Sequence, residues 1–357
     1  MLLNLLCTHM GFLFDSTQVQ DVAKHLGIDF DECFKEIGGA FYYHVSSIPS
    51  EIKDSDGYLE VLSRAPMKVF DVLKYIPDKQ ISLIVVNDLK SHEPVVKQTF
   101  NYNLVTKTCS HREFRKNPPV YHHFWSFGLS TPIDRELSFI RSLWWKLQLG
   151  SSRQISSTIG FRDNWLKFTS SLLGFDDLLT RIDSFVPKQS CTSKKTSINS
   201  NKLPKGISAL SDLPMGGKIV FDYGCGRFLN SRQFVSDLGG LYLGFDPFNR
   251  TSFENQVSLM YWFSGRVDYI VCSNVLNVIS EDDLVQDICT KVLDKVVECG
   301  AVALFTVYEG NKSGIGRLVR DDQYQRNEPL GCYLARFMRN DVTVSVKSSV
   351  IIIKKAP

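Results

Sequence analysis

"KIVFDYGCGRFLNSRQF", Lys218–Phe234, is the stretch on which the fold turns. An apolar run ends at Asp222, and Gly224 and Gly226 follow with one residue between them. The next segment, "SRQFVSDLGG", carries Phe234, Val235 and Leu238 at helical spacing and closes on a glycine pair. Strand, glycine turn and helix in this order open a nucleotide-binding α/β unit. Glycine lets the backbone turn tightly and come close to a ligand. "LYLGFD" then reads as a second strand ending at Asp246, where a carboxylate can accept hydrogen bonds from vicinal ribose hydroxyls.

Outward from this core the alternation continues. "VSLMYWF" (257–263) reads as a third strand and "VDYIVCSN" as a fourth. "SEDDLVQDICTKVLDKVVECG" is a helix with acids in its first turn and Gly300 at its end. "AVALFTVY" is a fifth strand and "EPLGCYLARFMRN" a further helix. "VTVSV" and "SVIIIK" flank the turn Lys347-Ser348-Ser349 as an antiparallel hairpin. The prediction for 207–357 is an α/β, Rossmann-like doubly wound sheet with a C-terminal antiparallel hairpin.

The ligand is narrowed by what surrounds the turn. A dinucleotide fingerprint needs a third glycine where Leu229 stands. That disfavours a nicotinamide-dependent oxidoreductase. Asp222 just before the turn would repel a pyrophosphate but suits an ammonium group. "VFDYGCGRF" is similar to motif I of class I S-adenosylmethionine-dependent methyltransferases. "LYLGFDPFN", "VDYIVCSNVLNVI" and "GAVALFTVY" resemble their second, fourth and fifth strands, and the final hairpin matches their reversed last strand. A looser resemblance links the glycine turn and "GFDP" to methyltransferase-like proteins of bacteria and phages.

The resemblance implies S-adenosylmethionine as cofactor. It puts Gly224 and Gly226 at the methionine end, Asp222 near the ammonium and Asp246 on the ribose. Pro247 and Phe248 would lie beside the adenine, and Ser273 and Asn274 near the transferred methyl, with Asn274 contacting cofactor or acceptor. Its implied activity is methyl transfer, here to an unidentified acceptor, with RNA or DNA favoured. "SNVLN" lacks the prolines of amino-methylating DNA enzymes, and no Pro-Cys dipeptide exists for cytosine-C5 chemistry. The segment "YEGNKSGIGRLVRDDQYQRNEP" (308–329) is the candidate acceptor loop. Tyr308 and Glu309 are its candidate bases. Arg317, Arg320 and Arg326 are candidate phosphate contacts, together with Lys194, Lys195, Lys202 and Lys205. The alternative is a methyltransferase-like binding or scaffold protein without catalysis.

The first half reads differently. A Ser-, Thr- and Lys-rich stretch over 187–206 suggests a linker. Before it, 1–186 reads as a helix-rich α+β domain for substrate or partner recognition. "STQVQDVAKHLGIDFDECFKEIG" has helical spacing from Val19 to Phe34, in the rhythm of a helical hairpin. "ISLIVVNDL" reads as a buried strand, and Thr131 to Gly150 as a capped helix. His122 and His123 form the densest polar-aromatic patch, for which a packed loop is the favoured reading.

Net charge of +3 and a hydrophobic content of 43% fit a globular protein. Nine scattered cysteines without a C-x-x-C pair imply a reducing, cytoplasmic setting and no metal. No apolar run approaches a membrane span, so no membrane partner is expected.

Overall fold

The computed structural model describes residues 16–26, 34–87, 94–121, 140, 143–144, 146–148, 160–169, 174–192 and 202–357. The chain divides into two units, Met1–Leu13 with Ile28–Asp177 and Phe14–Gly27 with Leu178–Pro357. The division differs from the boundary read at 187–206. Helix α1 (Thr17–His25) belongs to the second unit, and the chain enters that unit for good at Leu178.

The described residues of the first unit combine a six-stranded sheet with short helices. Its strands are β1 (Phe34–Ile37), β2 (Ala40–His44), β3 (Val72–Ile76), β4 (Gln80–Val86), β5 (Val96–Asn103) and β6 (Cys109–Glu113). They pair antiparallel in chain order. Helices Ser50–Lys53, Asp56–Arg64 and Arg162–Thr169 accompany this sheet, so the described residues of the unit are α+β, with a six-stranded antiparallel sheet where only a few strands were expected. Phe34, expected to prolong a helix, starts β1 and pairs with Tyr43. "ISLIVV" is indeed a strand, β4, with Ile81, Leu83 and Ile84 buried. One helix, α2 (Asp56–Arg64), is capped by Ser55, whose hydroxyl accepts from Tyr58 N. It sends Tyr58 and Val61 into a core with Leu73, Ile81, Phe100 and Tyr102. His122 and His123 lie outside the described residues. Of the helix expected over 131–150, Ile140, Trp144 and Leu147 are described, and they are buried.

The second unit carries the mixed sheet. Helix α3 (Phe175–Phe185) leads into β7 (Ile219–Tyr223), α4 (Asn230–Asp237), β8 (Leu241–Phe245) and α5 (Ser252–Phe263). Then follow β9 (Tyr269–Ser273), α6 (Asp282–Cys299), β10 (Val302–Thr306) and a small hairpin of β11 (Arg317–Arg320) and β12 (Gln323–Gln325). Helix α7 (Leu330–Ala335), β13 (Val342–Lys347) and β14 (Val350–Lys355) complete it. The strand order is β13-β14-β10-β9-β7-β8. β8, β7, β9 and β10 run parallel, and β14 runs antiparallel to β10. This arrangement fits a class I methyltransferase sheet. Its order reverses between β7 and β9, so the carboxyl ends of those strands flank the ligand crevice of such sheets.

The third strand expected over 257–263 is not a strand. Those residues lie in α5, which buries Val257, Leu259, Met260 and Trp262. A helix this apolar has weak periodicity, so a run of large hydrophobics mimics a buried strand. The signal that separates the two is a capping box: Thr251 accepts from Glu254 N while Glu254 accepts from Thr251 N.

With no third strand, β8 is a sheet edge, and its outward backbone groups need partners. Two side-chain amides and a hydroxyl supply them. Gly244 N donates to Gln18 Oε1 at 2.8 Å, and Gly244 O accepts from Ser258 Oγ at 2.8 Å and Gln18 Nε2 at 3.4 Å. Asp246 N donates to Asn255 Oδ1 at 2.9 Å, and Asn255 Nδ2 returns a bond to Asp246 O at 3.0 Å. Gln18 and Asn255 thus stand where a neighbouring strand would. Helix α1 is fastened further by Arg232, which donates to both Asp21 oxygens at 2.6 and 2.7 Å. Among the described residues no helix is long and apolar enough to cross a membrane.

Candidate functional site

The site is built from the turn upward. Gly224 and Gly226 hold φ of +73° and +69°, a region that side chains rarely adopt. Gly224 is also crowded, since a Cβ there would lie 2.4 Å from Val275 Cγ2. Gly226 faces open space, with nothing within 4 Å of the same position. Gly224 N donates to Phe245 O at 2.7 Å, which fixes the turn to the end of β8.

Asp222 sits on β7 just before the turn and is 2% exposed. Among the described residues its one hydrogen-bond donor is Tyr242 Oη, 2.7 Å from Oδ2. Burial raises its pKa to about 6, offset in part by the Tyr242 bond and by the nearby Arg250 charge. The carboxylate is thus short of donors beside the two-glycine turn.

Asp246 is the opposite. Its Oδ1 accepts from Phe248 N and Asn249 N at 2.9 Å, and its Oδ2 from Gly226 N at 2.9 Å. Asn249 Nδ2 reaches both oxygens at 3.2 Å. These bonds fill the roughly four acceptor sites of a carboxylate. Asp246 therefore organises the turn and its own loop. Pro247 and Phe248 are half-buried beside it.

Ser273 ends β9 with its hydroxyl buried and unpartnered among the described residues. Asn274 follows in a left-handed conformation at φ 58°, its N–H donating to Thr306 O at 2.8 Å and its side chain exposed. Gly226 and Asp246 are brought together directly, and Asp222 lies on β7, which leads into the turn.

The two base candidates follow β10, and no hydrogen bond among the described residues joins their side chains to this group. Tyr308 is 63% exposed. Glu309 accepts from Leu330 N at 2.7 Å at the start of α7 and pairs with Lys312 at 3.0 Å. The Leu330 N–H, followed by Lys312, holds its carboxyl below the usual range, which makes it a poor base. Arg326 is also corrected as a phosphate contact. It is 5% exposed, its guanidinium donates to Asp282 at 2.8 Å, and its N–H bonds Asn277 O. Lys194 and Lys195 lie outside the described residues.

Sequence reading passed over Tyr242, Arg250 and Thr306. Arg250 donates to Phe228 O at 3.1 Å and Cys225 Sγ at 3.3 Å, bracing the segment after the glycines. Its spacing to Glu254, four residues on, was the available signal. Burial pushes the Cys225 thiol up to about 12, which removes it as a nucleophile.

No family model and no curated protein matches the chain. Several solved structures do. One is a 1,6-didemethyltoxoflavin-N1-methyltransferase of Burkholderia thailandensis with bound S-adenosylhomocysteine. It is 11% identical at TM-score 0.34, over 51% of this chain and 87% of that one. A structure from echinomycin biosynthesis is 13% identical at TM-score 0.30, over 52% and 91%. Phosphoethanolamine N-methyltransferase 2 of Haemonchus contortus is 14% identical at TM-score 0.24, over 86% and 62%. At such values the likenesses carry no weight, and the fold rests on the chain's own strand order.

Proposed function

We propose that the second unit binds S-adenosylmethionine and transfers its methyl group. The observation that carries this reading is Asp222, a buried carboxylate with one donor among the described residues, at the switch point of the sheet and next to a two-glycine turn. An α-ammonium is the charge that such a carboxylate lacks. The cofactor's sulfonium supplies an electrophilic methyl, so the protein's task is alignment of a nucleophile.

In this reading Gly224 and Gly226 give the methionine end room, and Asp246 meets the ribose by exchanging the long Asn249 contacts at 3.2 Å. Pro247 and Phe248 take the adenine side. Asn274, exposed at the end of β9, is the polar contact nearest the transfer. For the acceptor we favour a nucleic acid, because Lys202, Lys205, Arg317 and Arg320 are exposed cations suited to phosphates. The first unit serves recognition of that acceptor or of a protein partner.

A second reading has its own support. The saturated Asp246 and the close packing of Val275 on Gly224 suit a methyltransferase-like fold that binds or scaffolds without catalysis. Calorimetric titration with S-adenosylmethionine, S-adenosylhomocysteine and NAD separates these. Binding of the sulfur nucleotides and not NAD is expected, and binding of neither sulfur nucleotide overturns the proposal. Labelled-methyl transfer onto RNA, DNA, peptide and metabolite pools then identifies the acceptor. Binding without transfer to any pool supports the second reading.

A further inference from the structure

Two buried hydroxyls lie side by side at the carboxyl edge of the sheet. Ser273 on β9 and Thr306 on β10 are register partners on neighbouring parallel strands. Both hydroxyl oxygens are buried without a hydrogen-bond partner among the described residues, and Thr306 is 5% exposed. Asp222 is paired with Val271, two residues before Ser273. Because strand side chains alternate between faces, Asp222, Val271, Ser273 and Thr306 project from one face. Val271 and Leu304 pack there against Ile207 and Leu210.

The backbone above this row comes unusually close. A Cβ on Gly206, in the short helix Lys205–Ser208, would lie 2.7 Å from Ser273 Oγ and 3.0 Å from Val271 Cγ1. The absent side chain is what leaves Ser273 Oγ its space. A buried hydroxyl left unpaired costs about 1–3 kcal/mol. Two side by side, at the strand ends where such sheets bind ligands, point to an occupant that accepts hydrogen bonds.

We propose that Ser273 and Thr306 form a subsite for the carboxylate of an α-amino acid group, whose ammonium is taken by Asp222. The proposal rests on the S-adenosylmethionine reading and deepens it. The chemistry is complementary: a zwitterion needs one anion and, a few ångströms away, donors. Asp222 supplies the first and the two hydroxyls supply the second. The positive end of the zwitterion lies between its own carboxylate and Asp222, so like charges are kept apart.

The test uses full-length protein and two ligands, S-adenosylhomocysteine and methylthioadenosine, which lacks the amino-acid end. Thr306→Val and Ser273→Ala should each weaken S-adenosylhomocysteine binding by about tenfold and leave methylthioadenosine unchanged. Thr306→Ser should keep the wild-type affinity. Thr306→Val should also hold or raise the melting temperature, since it removes an unpaired buried hydroxyl. Unchanged S-adenosylhomocysteine affinity in Thr306→Val and Ser273→Ala overturns the subsite. So does an equal loss for both ligands, which would mean general distortion. If the wild type binds neither ligand, the cofactor reading itself falls, and that outcome is distinct from a failure of the subsite alone.

Discussion

Asp222 and Asp246 close adjacent parallel strands, and both are buried. They do opposite work. Asp246 is surrounded by donors from Gly226, Phe248 and Asn249 and holds the loops together. Asp222 has the Tyr242 hydroxyl and an apolar setting that raises its pKa to about 6. The contrast separates a carboxylate that the fold already satisfies from one that it leaves short of donors. The former must exchange an existing bond to meet a ligand, and the latter has acceptor capacity to spare.

The sharpest way to break the contrast is Asp246→Ala. It strips acceptors from three backbone N–H groups at once, so we expect a loss of about 3 kcal/mol in stability by denaturant titration. A change under about 0.5 kcal/mol would mean that these bonds do not hold the loops together. Next in size is Gln18→Ala, which unpairs Gly244 N on the open edge of β8 and should cost about 2 kcal/mol. Hydrogen exchange should show Gly244 losing protection first. If its protection is unchanged, the side-chain amide is not what seals that edge.

Much of this was legible in the sequence, for physical reasons that differ by element. The glycine turn announces itself because positive φ at Gly224 and Gly226 is a local requirement. Strands β7, β8, β9 and β10 are short apolar runs between turns, as buried parallel strands are. Helix α5 was misread because nearly every residue in its second half is buried, and only the Thr251–Glu254 box marked it. Gln18 could not be read at all, because its partner Gly244 is 226 residues away. The donor-poor state of Asp222 and the saturated state of Asp246 likewise depend on residues that only the fold brings near. In the first unit, strands such as β5 mix exposed and buried positions, so their alternation was hidden behind polar residues like Lys97 and Gln98.

The smallest effect is also the most direct probe of the central claim, that Asp222 binds an ammonium group. Burial holds the Asp222 proton to about pH 6, well above the value of 3.8 for an exposed aspartate. The folded chain therefore keeps a proton that the unfolded chain releases, and the unliganded protein should lose stability as pH rises from about 4 to 6. Binding should run the other way, because the ionised carboxylate pairs with the ligand. The measurement is S-adenosylhomocysteine affinity from pH 5 to pH 7 in the wild type and in Asp222→Asn. We predict a rise of about tenfold in the wild type and none in the variant. A flat wild-type profile, or a variant that binds as tightly as the wild type at pH 7, would contradict the assignment.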